Sequence, residues 1–250
     1  MFSIPRVRAV SERTSVPSVK RADSFIFPQP VASAYPESYN GRFRRSILEN
    51  AMPAAKPGAR RLQILQVLAR MLEDPKGEKV TTAALAKELD VSEAALYRHF
   101  ASKAQMFEGL IEFIEETLFG LVNKITAEEE NGVKQIHAIL SSLLGFAEKN
   151  PGMTRVLIGD ALVNEDERLQ ARINQLHDRL EATLKQCLRV AATQGSAEPA
   201  GTAGAQGSPD PGPQANLLLC YVMGRWQQYA KSGFKRKPTE LWEKQWPLLA

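Results

Sequence analysis

Cysteine is scarce in this chain of 250 residues, and long apolar runs are missing from it. The two cysteines, Cys187 and Cys220, belong to no closely spaced metal-binding pair, and a disulfide framework in a chain of this length would need more of them. A charged residue interrupts every apolar stretch before it reaches about 18 residues, which is the length that a membrane helix requires. The sequence therefore predicts no membrane span, and a reducing cytoplasm suits it best.

Catalytic motifs are missing too. The three histidines, His99, His137 and His177, fall on different predicted helices, with no carboxylate or cysteine at a spacing that implies a metal site. No glycine-rich phosphate loop, nucleophile elbow or His-Glu zinc motif occurs. The sequence thus predicts a protein that is not an enzyme and that binds no cofactor and no metal.

The basic excess of the chain is confined to its first part. The net charge is +4, but residues 1–56 contain 9 of the 32 Lys and Arg and 4 of the 28 Asp and Glu, which leaves 23 basic against 24 acidic residues in the remainder. Affinity for nucleic acid must therefore come from local cations, and it would be sensitive to salt. The candidate cations are Arg60, Arg61, Arg98 and Lys103.

Two segments lack the pattern of a folded chain. Residues 1–56 combine repeated Pro and Ser with scattered Arg and show no helical or strand period, which predicts a disordered N-terminal extension. Because Met52 directly precedes the patterned region, the extension is either an upstream mis-assigned start or a dispensable tail, unless the arginines within residues 42–45 act as a basic arm on DNA. Residues 195–213 are nearly all Gly, Ala, Pro, Ser and Gln, which predicts a disordered loop.

The stretch 80–107 contains the most informative motif. It predicts two short helices joined by a tight turn at residues 90–91 and followed at once by a third helix. Thr81 or Thr82 is placed to cap the first helix, and Ser92 is placed to cap the second. This order is that of a helix-turn-helix, a motif that lays its second helix in the major groove of DNA.

The second helix of this motif has an apolar face and a polar face. Leu96 and Phe100 recur at a spacing that points them inward, so the opposite face is left for DNA. The predicted DNA-binding residues of the motif are Thr81, Thr82, Ser92, Glu93, Ala94, Ala95, Tyr97, Arg98, His99 and Lys103.

Their roles differ by chemistry. Arg98 suits base reading, since a guanidinium bonds guanine bidentately, and Ala94 or Ala95 suits contact with a thymine methyl group, although Ala95 suits the core equally well. The alternative for Tyr97 and His99 is that the first packs within the small domain and the second bonds a neighbour.

Longer helices surround the motif. Ser102 and Gln105 form a capping box at the start of the third helix. No strand pattern competes with the helical period anywhere, so the predicted fold is all-α. The predicted helices outside the motif are 60–73, 103–125, 133–149, 154–164, 166–193 and 215–232.

The residues of the motif resemble the TetR family. The shared pairs are Thr81-Thr82, Leu85-Ala86, Val91-Ser92, Leu96-Tyr97, His99-Phe100 and Ser102-Lys103. Ala94 departs from the family, in which glycine is common at this position. The resemblance implies a three-helix DNA-binding domain at 57–118 and a larger helical dimerisation domain at 119–250. The phosphate contacts that it implies are Tyr97, His99 and Lys103.

Four blocks of the body resemble the branch of this family that acts in nucleoid occlusion. They are LIEFIEE at 110–116, LLGFAEKNPGMTRVL at 143–157, RLQARINQL at 168–176 and FKRKPTELWEKQWPL at 234–248. The resemblance implies a cytoplasmic, nucleoid-associated dimer that binds palindromic DNA sites, antagonises assembly of the FtsZ ring and prevents septation over the nucleoid. The alternative is a TetR-type transcriptional repressor that responds to a small ligand in its body.

The same resemblance implies a partner site for the C-terminal tail of FtsZ between two body helices. From the residues alone, the candidates suit a core position and a helix end as well as a binding site. Leu121 and Ser142 depart from the basic and larger apolar residues, respectively, expected at the edges of such a groove. The implied partner residues are Phe113, Gly145, Lys149 and Asn150.

The two helices at 168–193 and 215–232 either complete the core of one chain or pair with a second copy. A single helix-turn-helix contacts one half-site, so two copies are normally required for affinity, and TetR proteins pair through their last two long helices. The implied dimer contacts are Leu169, Ile173, Leu176, Leu180, Leu217, Tyr221, Met223, Arg225 and Trp226.

Overall fold

The computed structural model describes residues 58–74, 79–195 and 210–249. The predicted N-terminal extension and residues 196–209 of the predicted loop lie outside these ranges. All regular elements of the described part are helical, which confirms the all-α prediction. They are α1 (Ala59–Met71), α2 (Thr82–Glu88), α3 (Glu93–Tyr97), α4 (Lys103–Glu128), α5 (Gly132–Lys149), α6 (Pro151–Leu157), α7 (Glu167–Gly195), α8 (Gly212–Lys231) and α9 (Trp242–Gln245), with 3₁₀ turns at Asp160–Leu162 and Trp246–Leu248.

Helices α1 to α3 form the predicted helix-turn-helix domain. The Thr81 hydroxyl accepts a hydrogen bond from the Ala84 amide at 3.1 Å, and the Ser92 hydroxyl accepts one from the Ala95 amide at 3.3 Å. Asp90, with φ 52°, lies in the left-handed region and makes the turn between the two caps. The side chains buried between the three helices include Ile64, Leu68, Leu85, Leu96 and Phe100.

Helix α4 joins this domain to the body without a break at residue 118, where the sequence predicted a domain boundary. Its capping box differs by one residue from the prediction. The Ser102 hydroxyl accepts from the Gln105 amide at 3.2 Å, but the Gln105 side chain accepts from the Ala101 amide at 2.9 Å, not from that of Ser102. The core face of α4 consists of Met106, Phe107, Leu110, Ile111, Ile114, Leu118, Val122 and Ile125.

The body packs α4, α5, α7 and α8 around one core, with α7 in contact with the other three. The Trp226 indole on α8 is fully buried and donates to the Leu143 carbonyl of α5 at 3.2 Å. Helix α8 begins at Gly212, so residues 212 and 213 of the predicted loop are helical. None of the described helices has the length and apolarity that are needed to cross a membrane.

Helix α6 docks the body on the DNA-binding domain. The sequence predicted a helix end at 150–152 and a new helix from 154, and α6 begins three residues earlier, with a proline in its first turn. Arg155 of α6 donates to the Leu72 carbonyl at the end of α1, at 3.2 Å, and to the Asp160 carboxylate at 2.8 Å. Burial raises the pKa of Asp160, but hydrogen bonds from Lys231 and Arg155 outweigh it and hold that pKa below its ordinary value.

Candidate DNA-binding surface, groove and dimer face

The outer face of α3 is the candidate DNA-reading surface. Leu96 and Phe100 are buried, as predicted, and Ala95 is half-buried at the edge of the face. Tyr97 is 44% exposed, so it is not packed in the domain core. The exposed residues that this arrangement brings together are Ser92, Glu93, Ala94, Tyr97, Arg98 and His99.

A hydrogen bond joins the first turns of α2 and α3. The Thr82 hydroxyl donates to the Glu93 carboxylate at 2.6 Å. This bond fixes the direction of an acceptor on the face that carries Arg98. An oriented carboxylate can accept from the amino group of cytosine, whereas Arg98 can donate to guanine.

The two arginines of α1 have different surroundings. Arg60 lines an open cleft of about 460 Å³ together with Arg98 and His99, beside α3. Arg61 donates to the His99 carbonyl at 3.1 Å, and its guanidinium lies 4.2 Å from the centre of the Phe100 ring. Arg60 is therefore placed to meet phosphate, and Arg61 supports the end of α3.

Lys103 points away from the DNA-reading face. Its ammonium lies 2.6 Å from the Glu165 carboxylate, which follows α6, and Lys79 approaches the same carboxylate at 3.6 Å. This ion pair directs the Lys103 charge to the body, and the contact of Lys103 with a phosphate stays a prediction. Sequence reasoning missed Glu165 and Arg155 as ties between the two parts. Nothing in the local sequence sets these two charges apart from their charged neighbours such as Asp160, Asp166 and Glu167.

The residues predicted to bind the partner on α4 and α5 differ in how exposed they are. Phe113 is half-buried, Lys149 is exposed, and a Cβ atom added to Gly145 would have no atom within 4 Å. At three- and four-residue spacing, α5 presents a stripe of small and basic side chains beside α4. The stripe consists of Lys134, Ala138, Ser141, Gly145 and Lys149.

Asn150 is not part of this stripe, whose members are exposed or half-buried. It is 7% exposed, its side-chain amide donates to the Phe146 carbonyl at 2.8 Å, and its own carbonyl accepts from the Thr154 hydroxyl at 3.0 Å. Asn150 therefore joins α5 to α6, and its contact with a peptide stays a prediction. Ser142 is buried as well, so it forms no edge of the groove.

Most of the residues predicted at the dimer interface lie inside one chain. Leu217 on α8 is 54% exposed, and Tyr221 and Met223 are half-buried. The other six are buried within the same chain, so they lie behind the surface that a partner would contact, and their place near a dimer interface stays a prediction. They are Leu169, Ile173, Leu176, Leu180, Arg225 and Trp226.

Comparison with known proteins matches both parts of this architecture. The family profile described as "Bacterial regulatory proteins, tetR family" matches residues 64–110, and the SlmA-like profile described as "Tetracyclin repressor-like, C-terminal domain" matches residues 130–250. The nucleoid occlusion factor SlmA of Alteromonas mediterranea is 54% identical over 195 residues, which are 78% of this chain and 96% of the relative. That of Marinomonas sp. is 53% identical over 196 residues, with 78% and 95% of the two chains covered.

Solved structures of more distant proteins share the fold. The fatty acid degradation regulator FadR from Bacillus halodurans superimposes with a TM-score of 0.61 at 16% identity, over 78% of this chain and 96% of its own. The TetR family regulator PfmR from Thermus thermophilus gives a TM-score of 0.60 at 20% identity, with coverage of 75% and 96%. The chain belongs to the TetR family and, within it, to the nucleoid occlusion factors of the SlmA type.

Proposed function

We propose that this protein carries out nucleoid occlusion as a DNA-bound homodimer that captures the C-terminal tail of FtsZ and so blocks septation over the nucleoid. Identity of 54% over 195 residues, which include the body as well as the DNA-binding domain, carries the proposal. A likeness limited to residues 64–110 would have supported DNA binding alone. The proposed location is the cytoplasm, on the chromosome.

DNA recognition is proposed to use α3 in the major groove. Arg98 and Glu93 would contact base edges, and Ala94 leaves room for close approach. Tyr97, His99 and Arg60 flank this face and would hold phosphates, which makes the affinity dependent on salt. Because each chain carries one such face, a palindromic site with half-sites about 34–36 Å apart would engage both copies.

Dimerisation is proposed to use the outer faces of α7 and α8. Leu217 is the large apolar residue exposed on α8, and Gly224, two turns further on, has no atom within 4 Å of an added Cβ. The exposed face of α7 is polar, with small residues that permit close approach of a second helix. It includes Ala171, Asn174, Gln175, Asp178 and Ala182.

FtsZ capture is proposed to use the groove between α4 and α5. Phe113 would supply apolar contact, the open surface at Gly145 would admit a peptide backbone, and Lys149 would pair with carboxylates of the tail. Several dimers on one DNA site would present several grooves to a filament that carries many tails. The resulting avidity explains why DNA-bound protein would act more strongly than free protein.

A sedimentation experiment tests this proposal. FtsZ polymers assembled with GTP are pelleted with the protein, with and without genomic fragments enriched by its own binding, at constant salt. We expect pelleting to fall only with protein and specific DNA together, and to recover with Lys149→Glu or with Gly145→Leu, which fills the groove. Both variants should retain DNA binding.

A variant of the DNA face gives the matched control. Tyr97→Ala should lose DNA binding yet still bind an isolated FtsZ tail peptide. Pelleting that is unaffected by protein bound tightly to DNA would contradict the proposal. The ligand-responsive repressor would then be the better description, and release of DNA by small molecules would be the next measurement.

A further inference from the structure

We propose that the basic loop, residues 232–237, is a second docking surface that binds the acidic flank of the peptide held in the α4–α5 groove. This inference rests on the proposed function, since the peptide is the same one. It adds a contact region outside α4 and α5, and it assigns to that region an electrostatic role.

The charge of the basic loop is concentrated and partly unpaired. Lys235, Arg236 and Lys237 are consecutive and exposed, and the loop contains no acidic residue. Lys237 pairs with Glu148 at 3.0 Å, whereas Lys235 and Arg236 form no ion pair within residues 58–74, 79–195 and 210–249. Two adjacent cations without an ion-pair partner among the described residues are available to an anionic partner.

The basic loop is held in one conformation at its start. The Ser232 hydroxyl accepts hydrogen bonds from the amides of Lys235 and Arg236, at 3.1 Å and 2.9 Å. Phe234, with φ 63°, packs edge-on against the Tyr229 ring at 5.2 Å. An unanchored loop with several cations within and beside it would spread its charge by self-repulsion, so these contacts keep the charge concentrated.

The end of the basic loop is held by a buried cation. Arg225 is 8% exposed and donates to the carbonyls of Lys237 at 2.7 Å and Pro238 at 3.1 Å. A surface fixed in advance loses less entropy when a ligand binds. Arg225, predicted as a dimer contact, thus positions the basic loop.

The basic loop adjoins the end of the groove. Lys237 and Thr239 both bind the Glu148 carboxylate, and the Tyr229 hydroxyl donates to the Glu148 carbonyl at 3.0 Å. Glu148 precedes Lys149, the last residue of the stripe on α5. A peptide that follows α5 past Gly145 towards Lys149 therefore leaves the groove beside the basic loop, where its flanking carboxylates meet Lys235 and Arg236.

The chemistry favours an acidic peptide over DNA. The basic loop is attached to α5 and α8, which contact α6, and α6 in turn contacts α1. The face of α3 that is proposed to read DNA lies on the small domain, on exposed residues of a different helix. Cations at the rim of a binding site mainly raise the association rate and make it sensitive to salt.

Fluorescence anisotropy of a labelled FtsZ C-terminal tail peptide tests the inference on the full-length dimer without DNA. Lys235→Glu and Arg236→Glu should each weaken binding by roughly 3- to 10-fold at about 50 mM salt, and by less than about 2-fold at about 500 mM. Lys87→Glu, the same charge change on the exposed end of α2, should alter the affinity by less than about 1.5-fold. Against a peptide whose flanking Asp and Glu are replaced by Asn and Gln, Arg236→Glu should match the wild type.

Each other outcome has one meaning. If the wild type does not bind the peptide at all, the proposed function fails and the inference falls with it. If the wild type binds and Arg236→Glu binds equally well at low salt, the basic loop is not a docking surface. If the loop variants keep the peptide but lose affinity for specific DNA with a shallower salt dependence, the occupant is DNA and the inference is overturned. Thermal melts check that the variants fold, and we expect little change because neither side chain forms an ion pair among the described residues.

Discussion

Gly152 of α6 lies directly against the backbone of Ala69 in α1, so closely that a Cβ added to the glycine would be 2.0 Å from the Ala69 carbonyl oxygen. The contact is between backbone atoms, which cannot move aside as a flexible side chain can. We expect Gly152→Ala to force the body away from the DNA-binding domain and to lower the free energy of unfolding by about 1–3 kcal/mol. Urea unfolding at one fixed protein concentration measures the change.

A second glycine gives the matched control for this substitution. Gly145 is also helical, but nothing lies within 4 Å of an added Cβ. Gly145→Ala should be neutral or stabilising by up to about 1 kcal/mol, as for glycine in a helix interior. Equal losses of stability in the two variants would show that the contact with Ala69 is not the cause.

The helix caps and the distant contacts show how far the sequence could be interpreted. Thr81, Ser92 and Ser102 cap helices within three residues of themselves, so their roles followed from local pattern. The contacts of Gly152 and Lys103 were not predicted because their partners lie about 60 or more positions away in the sequence. A glycine after proline resembles a helix end, and a lysine in a DNA-binding motif resembles a phosphate contact.

The predicted dimer contacts show a related limit of local pattern. Periodicity marks which face of a helix is apolar, but it does not say what covers that face. The leucines from Leu169 to Leu180 follow the expected spacing, and helices of the same chain cover them. Conversely, the surface proposed for a second copy carries mostly polar and small side chains, which no apolar pattern reveals.

The ion pair of Lys103 with Glu165 predicts a gain of DNA affinity on mutation. Glu165→Gln removes the carboxylate that holds Lys103 at 2.6 Å and Lys79 at 3.6 Å. Both cations would become available to phosphates, so we expect tighter binding at low salt and a steeper dependence on salt. Electrophoretic mobility shifts over a salt series measure both. An unchanged slope would mean that neither lysine reaches DNA once released.

The position of Glu93 leads us to predict that its substitution changes the DNA sequence preference of the protein. Its carboxylate accepts from the Thr82 hydroxyl at 2.6 Å on the face proposed to read DNA. Glu93→Ala should relax the preference for cytosine at one position of each half-site by about 1–3 kcal/mol, while affinity for random DNA rises because an anion has left the interface. Selection of binding sites from a random library measures the preference. Thr82→Val should weaken it less, and uniform loss at all positions would indicate a merely structural role.

The burial of His177 leads us to predict that the stability of the protein depends on pH. Burial lowers its pKa from the ordinary value of 6.5, against the opposing effects of Asp178 and of a hydrogen bond with the Leu157 backbone. Its Nε2 atom is buried without a hydrogen-bond partner among the described residues. The unfolded chain takes up the proton first, so this contribution to stability is complete above about pH 6.5 and is lost as pH falls towards the lower folded pKa.

Substitution isolates that contribution. His177→Phe keeps a ring beside Trp226 but cannot take up a proton. The melting temperature of the wild type should fall between about pH 7 and pH 5 by more than that of the variant. Because His99 and His137 are present in both proteins, the difference belongs to His177. Parallel curves would show that its protonation is not linked to unfolding in this range.

The exposure of Leu217 leads us to predict that the exposed face of α8 is the dimer contact. Leu217→Glu places a charge on that face and should yield monomers in analytical ultracentrifugation, with much weaker binding to a palindromic site. Val163→Glu, at a residue that is 64% exposed in the turn between α6 and α7, should remain dimeric.

Cys220 lies one turn from Leu217 on the same face, so the reactivity of its thiol gives an independent test of the interface. Its thiol is exposed in the single chain, whereas burial raises the pKa of the Cys187 thiol to about 11.

A maleimide should therefore label Cys220 rapidly in Leu217→Glu and slowly in the wild type, where the second copy covers it, while Cys187 stays unmodified in both. Equal labelling rates at a protein concentration where the wild type is dimeric would place the interface elsewhere on the body.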